Sequence, residues 1–168
     1  MAEDKKFPVN AIHVIRTAQT INVQLSAMAD QKASILMGAT FVIFTITISQ
    51  SHGHTPPLPL LILGAAAFAA AVCAVLAIVP AFGLGRRKGP ANLLFFGSFA
   101  SLEEEDYLAQ MLAILGDEEE GYRAMARDMH QNGRVLARKK YRMLGYAYRI
   151  FLLGMTASLI AFVAERFV

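Results

Sequence analysis

From position 33 to position 85 the chain runs for 53 residues without a single Asp, Glu, Lys or Arg. The remaining positions carry all 16 basic and all 13 acidic side chains, so charge is segregated along the chain and not merely scarce. A water-soluble domain scatters charge over its surface, whereas hydrocarbon penalises any unpaired charge. The block therefore predicts membrane spans joined to a polar remainder. An apolar content of 55% and a mean hydropathy of +0.43 agree with that division. Cys73, the one cysteine, lies inside the block, which excludes an intrachain disulfide framework. A net charge of +3 is too small to argue for a nucleic-acid partner, and none is expected.

Three apolar runs stand out. The first, TM1 at about 33–50, has close to the minimum length for crossing a ~30 Å hydrocarbon core. With 32 mostly polar residues before it and Gly53-His54-Thr55-Pro56-Pro57 after it, it reads as an uncleaved anchor. The second, TM2 at about 58–84, contains Pro80, where a kink or fray is expected. The third, TM3 at about 146–164, has Arg149 at one end and Glu165 and Arg166 at the other. Basic residues fix the orientation: the 50–57 turn has none, residues 86 to 149 hold eleven, and the N-terminal 32 residues hold Lys5, Lys6, Arg16 and Lys32. The N-terminus and residues 86–145 are thus expected on the cytoplasmic side of a bacterial inner membrane.

The polar parts read as helical. Val14, Ala18, Ile21, Leu25 and Met28 recur at steps of three and four, and no breaker separates them from TM1, which predicts one helix from about 9 to 50 with its cytoplasmic part at 9–32. Leu93-Leu94-Phe95-Phe96 forms an apolar patch suited to the membrane surface or to other helices. Ser101 and Glu104 have capping-box spacing and predict a helix at about 101–115, ended by Gly116. Asp117 with Glu120 predicts another over 117–145, whose seam runs through Tyr122, Met125, Met129, Leu136 and Met143, with Asn132-Gly133 as a weak point. The fold class is an all-α membrane protein: three transmembrane helices and a cytoplasmic helical bundle formed by extensions of the first and third spans plus a short helix, in a single domain over residues 1–168.

Few residues suggest chemistry. The first two spans lack the ionisable groups expected of a proton relay or ion path, and Thr40, Thr45, Thr47 and Ser49 suit helix hydrogen bonding. Ala65, Ala69, Cys73 and Ala77 stand four apart in TM2, and Gly154 with Ser158 repeats the spacing in TM3, which permits close helix packing within one subunit or self-association. Gln19, Asn22, Ser26 and Asp30 form a polar stripe, either solvated or a ligand-facing wall able to read a base edge or ribose hydroxyl. Arg134, Arg138, Lys139, Lys140 and Arg142 form a basic cluster suited to anionic lipid or to phosphate. The acidic runs at 103–106 and 117–120 sit in first helical turns as dipole partners. His52-x-His54 is a poor metal site, with no carboxylate or thiol nearby. There is no Walker, GxGxxG, HExxH or GxSxG sequence, and no enzyme activity or cofactor is expected.

The stretch Thr20-Ile21-Asn22-Val23-Gln24-Leu25-Ser26-Ala27-Met28-Ala29-Asp30-Gln31-Lys32-Ala33-Ser34-Ile35-Leu36, leading into a span, resembles the opening motif of the transmembrane effectors of Pycsar antiphage systems. Asn92-Leu93-Leu94-Phe95-Phe96-Gly97 before an acidic helix, and Val135-Leu136-Ala137-Arg138-Lys139-Lys140-Tyr141 before the last span, resemble that family in the same order. The resemblance covers nearly the whole chain. It implies a defence effector activated by cyclic CMP or cyclic UMP from a partner pyrimidine cyclase, which impairs inner-membrane integrity and so causes abortive infection. The ligand is then expected near Asn22, Ser26, Asp30, Lys32, Asn92, Arg138 and Lys139, in a homo-oligomer embedded in the bilayer. Two other classes remain open: a signal-independent structural membrane protein that recruits a cytosolic partner, and a small channel or transporter.

Overall fold

The computed structural model describes residues 7–50, 56–79 and 92–167. The His52-x-His54 pair, Pro80 and the Arg86-Arg87-Lys88 stretch lie outside the described residues. All described elements are helical: α1 (Ala11–Gln50), α2 (Leu58–Ile78), α3 (Phe96–Phe99), α4 (Glu104–Leu115), α5 (Glu118–Val135), a π-helical segment (Leu136–Tyr141) and α6 (Arg142–Phe167). α1 is one helix of 40 residues, and the stretch Glu118–Phe167 is helical throughout. The chain divides into two compact units, Met1–Leu25 with Pro80–Val135, and Ser26–Val79 with Leu136–Val168.

The first unit is the polar one. α4 packs on α5, with Tyr107, Met111 and Ile114 of α4 half-buried and Tyr122, Met125 and Met129 continuing the apolar side of α5. Phe7 stacks on Tyr122 with ring centroids 4.7 Å apart, and Phe99 on Tyr107 at 4.9 Å. The expected capping box does not form. Glu103 occupies the N-cap position without a side-chain bond, while the Ser101 hydroxyl turns back to the Ser98 carbonyl at 3.5 Å. The turn of α3 brings that carbonyl within reach and diverts the serine. Gly116 does end α4, with a right-handed φ of −75° and its N–H on the Leu112 carbonyl, so it acts as a small terminator without a left-handed turn. Asp117 caps α5, accepting from the Glu119 and Glu120 N–H groups at 2.8 and 3.2 Å. Helix continues through Asn132-Gly133, where Asn132 Nδ2 donates to Asp128 Oδ1 at 3.0 Å. The departure from α geometry comes three residues later, at Leu136.

The second unit reverses the burial pattern of a soluble protein. Most of its buried residues are small: Ala29, Ala33 and Thr40 of α1, Gly64, Ala67, Ala70, Ala74 and Ala77 of α2, Ala147 and Gly154 of α6, with Leu36, Leu136 and Leu144 the larger exceptions near the polar end. Its large side chains point outward, with Phe41 71% exposed and Leu153 68%. In water that surface would aggregate; in lipid it is the stable arrangement, because small residues give backbones close contact and large ones meet acyl chains. α2 runs along α6. Ala66 comes so near Gly154 that a methyl on that glycine would stand 2.0 Å from the Ala66 Cβ, and Ser158 Oγ donates to the Pro59 carbonyl at 2.7 Å. The hydroxyls of Thr40, Thr45, Thr47 and Thr156 each donate to a carbonyl of their own helix. Among the described residues three helices, within Ala11–Gln50, Leu58–Ile78 and Glu118–Phe167, are long and apolar enough to cross a membrane.

Candidate functional site

Ser26 and Asp30 stand four residues apart on α1, hence on one face, half-buried immediately before the apolar stretch begins. Lys140, in the π-helical segment, meets both. Its ammonium donates to Asp30 Oδ1 and Oδ2 at 2.8 and 2.7 Å and to Ser26 Oγ at 2.8 Å. Three short bonds satisfy the three donors of the ammonium. The Lys140 side chain is 19% exposed and that of Asp30 is 41%, so water reaches the pair from the carboxylate side. The next lysine turns elsewhere: Lys139 Nζ donates to the Val79 carbonyl at 2.6 Å, at the negative end of α2. Consecutive lysines diverge around a helix, so this pair ties the π-helical segment to α1 through one side chain and to α2 through the other. Beneath them Ala29, Ala33 and Leu36 pack with Ala74, Leu136, Leu144 and Ala147. The Tyr148 hydroxyl donates to the Lys32 carbonyl at 3.2 Å, joining α6 to α1 just below.

A second polar cluster lies in the first unit. Asn92 is 5% exposed and Asp128 8%. Asn92 Nδ2 donates to Asp128 Oδ1 at 2.9 Å and to Gln131 Oε1 at 3.2 Å, while its own Oδ1 accepts the Leu94 N–H at 3.1 Å. With Asn132 also donating to Asp128, the carboxylate is held by two amides in an otherwise apolar seam. This is a structural network that pins the 92–95 turn to α5. On the exposed side of α5, Arg123 pairs with Glu119 and Glu120; the hydrogen bonds it donates to Glu119, followed by attraction to both carboxylates, raise its pKa above the usual arginine value.

Of the residues expected to hold a ligand, Ser26 and Asp30 come together around Lys140. Lys139 adjoins them in sequence but is occupied by Val79, and the side chains of Lys32 and Arg138 are exposed. Asn22, half-buried, and Asn92 belong to the first unit. Lys140 stood out in the sequence only as one of five clustered cations; its carboxylate partner lies 110 positions away, and no local spacing reveals such a pairing. Asp128 was legible in principle, as an acid flanked by Met125 and Met129 on the seam. Among the expected small residues, Gly154 and Ala77 are buried, Ala69 and Cys73 are half-buried, and Ala65 is exposed. The α2 face packed in the chain runs instead through Gly64, Ala67, Ala70, Ala74 and Ala77. A groove of about 520 Å³ between the other ends of α1, α2 and α6 is mostly apolar, lined by Ile46, Leu60, Leu63, Met155, Leu159 and Phe162, with Gln50, Ser158 and Glu165 also on its wall. No group of His, Cys, Asp and Glu able to hold a metal occurs among the described residues.

These features define a class: an all-α membrane protein whose apolar spans extend into helices bearing a polar, charge-paired cluster. The family model described as the Pycsar effector protein domain matches residues 13–165, and the chain belongs to that family. Neither a curated protein nor a solved structure matches the chain.

Proposed function

We propose that this Pycsar effector is activated by a cyclic pyrimidine mononucleotide, cyclic CMP or cyclic UMP, made by a partner cyclase, and that it then impairs the integrity of the bacterial inner membrane, so that the infected cell dies before phage mature. The observation that carries this reading is the family match over residues 13–165, which spans the polar helices and all three apolar ones. The basic residues concentrated between 86 and 149 support a cytoplasmic N-terminus and middle segment, where a soluble nucleotide is available. The ligand binds in the second unit, around Ser26, Asp30, Lys32, Arg138 and Lys139. The Ser26 hydroxyl suits a ribose hydroxyl, and the cations suit the phosphate.

Transmission needs no separate domain. Ser26 and Asp30 share one helix with the apolar stretch that follows, so a rotation or shift at the ligand is delivered into the bilayer by the same rigid rod. Two spans without Asp, Glu, Lys or Arg favour loss of integrity by reassembly of homo-oligomers over opening of a hydrophilic pore, and small residues such as Ala65, Ala69, Cys73 and Ser158 suit contacts between copies. Calorimetry on the purified, detergent-solubilised chain tests the reading, with cyclic CMP and cyclic UMP as ligands and cyclic AMP and cyclic GMP as controls. Selective micromolar or tighter binding of one pyrimidine nucleotide is expected; a folded protein that binds none of the four overturns it.

A further inference from the structure

The Lys140 ammonium is saturated in this structure, and what saturates it is an anion of the chain itself. Two carboxylate oxygens and one hydroxyl, all within 2.8 Å, surround the charge much as two oxygens of a phosphodiester and a supporting hydroxyl would. The carboxylate is the more exposed partner, and it sits on a different helix from the lysine. Asp30 can therefore turn to solvent and be rehydrated, whereas Lys140, four-fifths covered, cannot leave without an anion to replace it. The exchange of one monoanion for another keeps the site neutral. It also removes the polar link between α1 and the π-helical segment, because Asp30 and Ser26 are the α1 groups bonded to Lys140, and leaves the apolar packing of Leu136 against α1.

We infer that Lys140 is the phosphodiester anchor of the site and that Asp30 occupies it in the resting state, as an internal competitor that an incoming cyclic mononucleotide displaces. The inference rests on the proposed function and adds to it the anchoring cation and the means by which the resting protein is held inactive. A π-helical turn suits the role, since its extra residue already departs from the regular helix ladder and such turns recur at functional sites. Lys139 complements the device: by holding the Val79 carbonyl it fixes the segment to α2 while the α1 connection is exchanged.

The same phosphodiester chemistry occurs in phospholipid headgroups, so the test separates the two sources. Full-length protein is reconstituted in phosphatidylcholine nanodiscs, with and without added phosphatidylglycerol, and nucleotide binding is measured for wild type, Asp30→Asn, Lys140→Met and Lys140→Arg. Monodisperse elution verifies folding of each variant. Asp30→Asn, which removes the competitor and keeps the shape, is expected to bind the pyrimidine nucleotide about fivefold tighter than wild type. Lys140→Met is expected to lose at least tenfold in affinity, and Lys140→Arg to retain most of it. Phosphatidylglycerol should leave the nucleotide affinity unchanged; a strong competitive loss would make lipid the occupant of Lys140 and overturn the inference. Wild-type affinity in Lys140→Met, or an affinity in Asp30→Asn no higher than wild type, would also overturn it while leaving nucleotide activation intact. Absence of nucleotide binding by wild type itself overturns the proposed function, and this inference with it.

Discussion

Gly154→Ala is the sharpest perturbation of the membrane part. The added Cβ would stand 2.0 Å from the Ala66 Cβ and 3.5 Å from its Cα. Two carbon atoms rest at about 3.5–4.0 Å, so the first distance is short by roughly 1.5 Å. Neither methyl carbon has a torsion that moves it aside, because each is fixed to its own helix backbone. α2 and α6 must separate locally instead, loosening contacts around Ala67, Ala70 and Phe151. Such overpacking costs about 1–3 kcal/mol, and the helix propensity of alanine over glycine returns up to about 1 kcal/mol. The net destabilisation is about 1–2 kcal/mol, or a fall of roughly 3–6 °C in melting temperature for a chain of this size. Thermal unfolding of the purified protein in detergent, followed by loss of monodisperse elution, measures it. Ala66→Gly removes the opposing methyl, so the double variant Gly154→Ala/Ala66→Gly should recover much of the loss and give a coupling energy of about 1 kcal/mol or more. Gly154→Ala melting with wild type, or no rescue by Ala66→Gly, would refute the close approach of the two helices.

Other consequences are simpler. Asp128→Ala removes the acceptor of the Asn132 amide and leaves the buried Asn92 amide with Gln131 alone, and should cost about 1–3 kcal/mol, read as faster hydrogen exchange in α5 and in the 92–95 turn. Asp117→Ala removes the N-cap of α5 and should cost about 1 kcal/mol, confined to exchange of the Glu119 and Glu120 amides and the turn after them. Arg123→Ala, which breaks a solvent-accessible pair, should leave the melting temperature unchanged, since solvent screens such charges.

The division into apolar spans and polar helices was legible because hydrocarbon imposes a simple rule on composition: 53 residues without charge leave few alternatives. Helix periodicity likewise located the extent of α1 and the seam of α5, but the expected α1 seam faces outward, with Val14, Ile21, Leu25 and Met28 exposed, and the buried face of α1 runs instead through Ala29, Ala33, Leu36 and Thr40. What sequence did not reveal depends on competition between nearby groups or on distant partners. Ser101 had the spacing of a capping residue, but the α3 turn offered its hydroxyl another acceptor. The alanine-rich α2 presents a small residue on almost every face, so a stripe at 65, 69, 73 and 77 was as visible as the one through Gly64, Ala67, Ala70 and Ala74 that packs in the chain. The polar stripe of Asn22, Ser26 and Asp30 was apparent on α1. That its charged end is met by Lys140, and not by its neighbours Arg138 or Lys139, follows from the local π-helical turn, for which the sequence carries no marker.

The most direct measurement is leakage of a fluorescent dye from liposomes containing the full-length protein, with each of the four cyclic nucleotides added outside at equal concentration. Release triggered by cyclic CMP or cyclic UMP, absent with cyclic AMP and cyclic GMP and absent from protein-free vesicles, is the expected result. Vesicles that remain sealed with both pyrimidine nucleotides, although the protein is inserted and folded, would contradict nucleotide-triggered loss of membrane integrity.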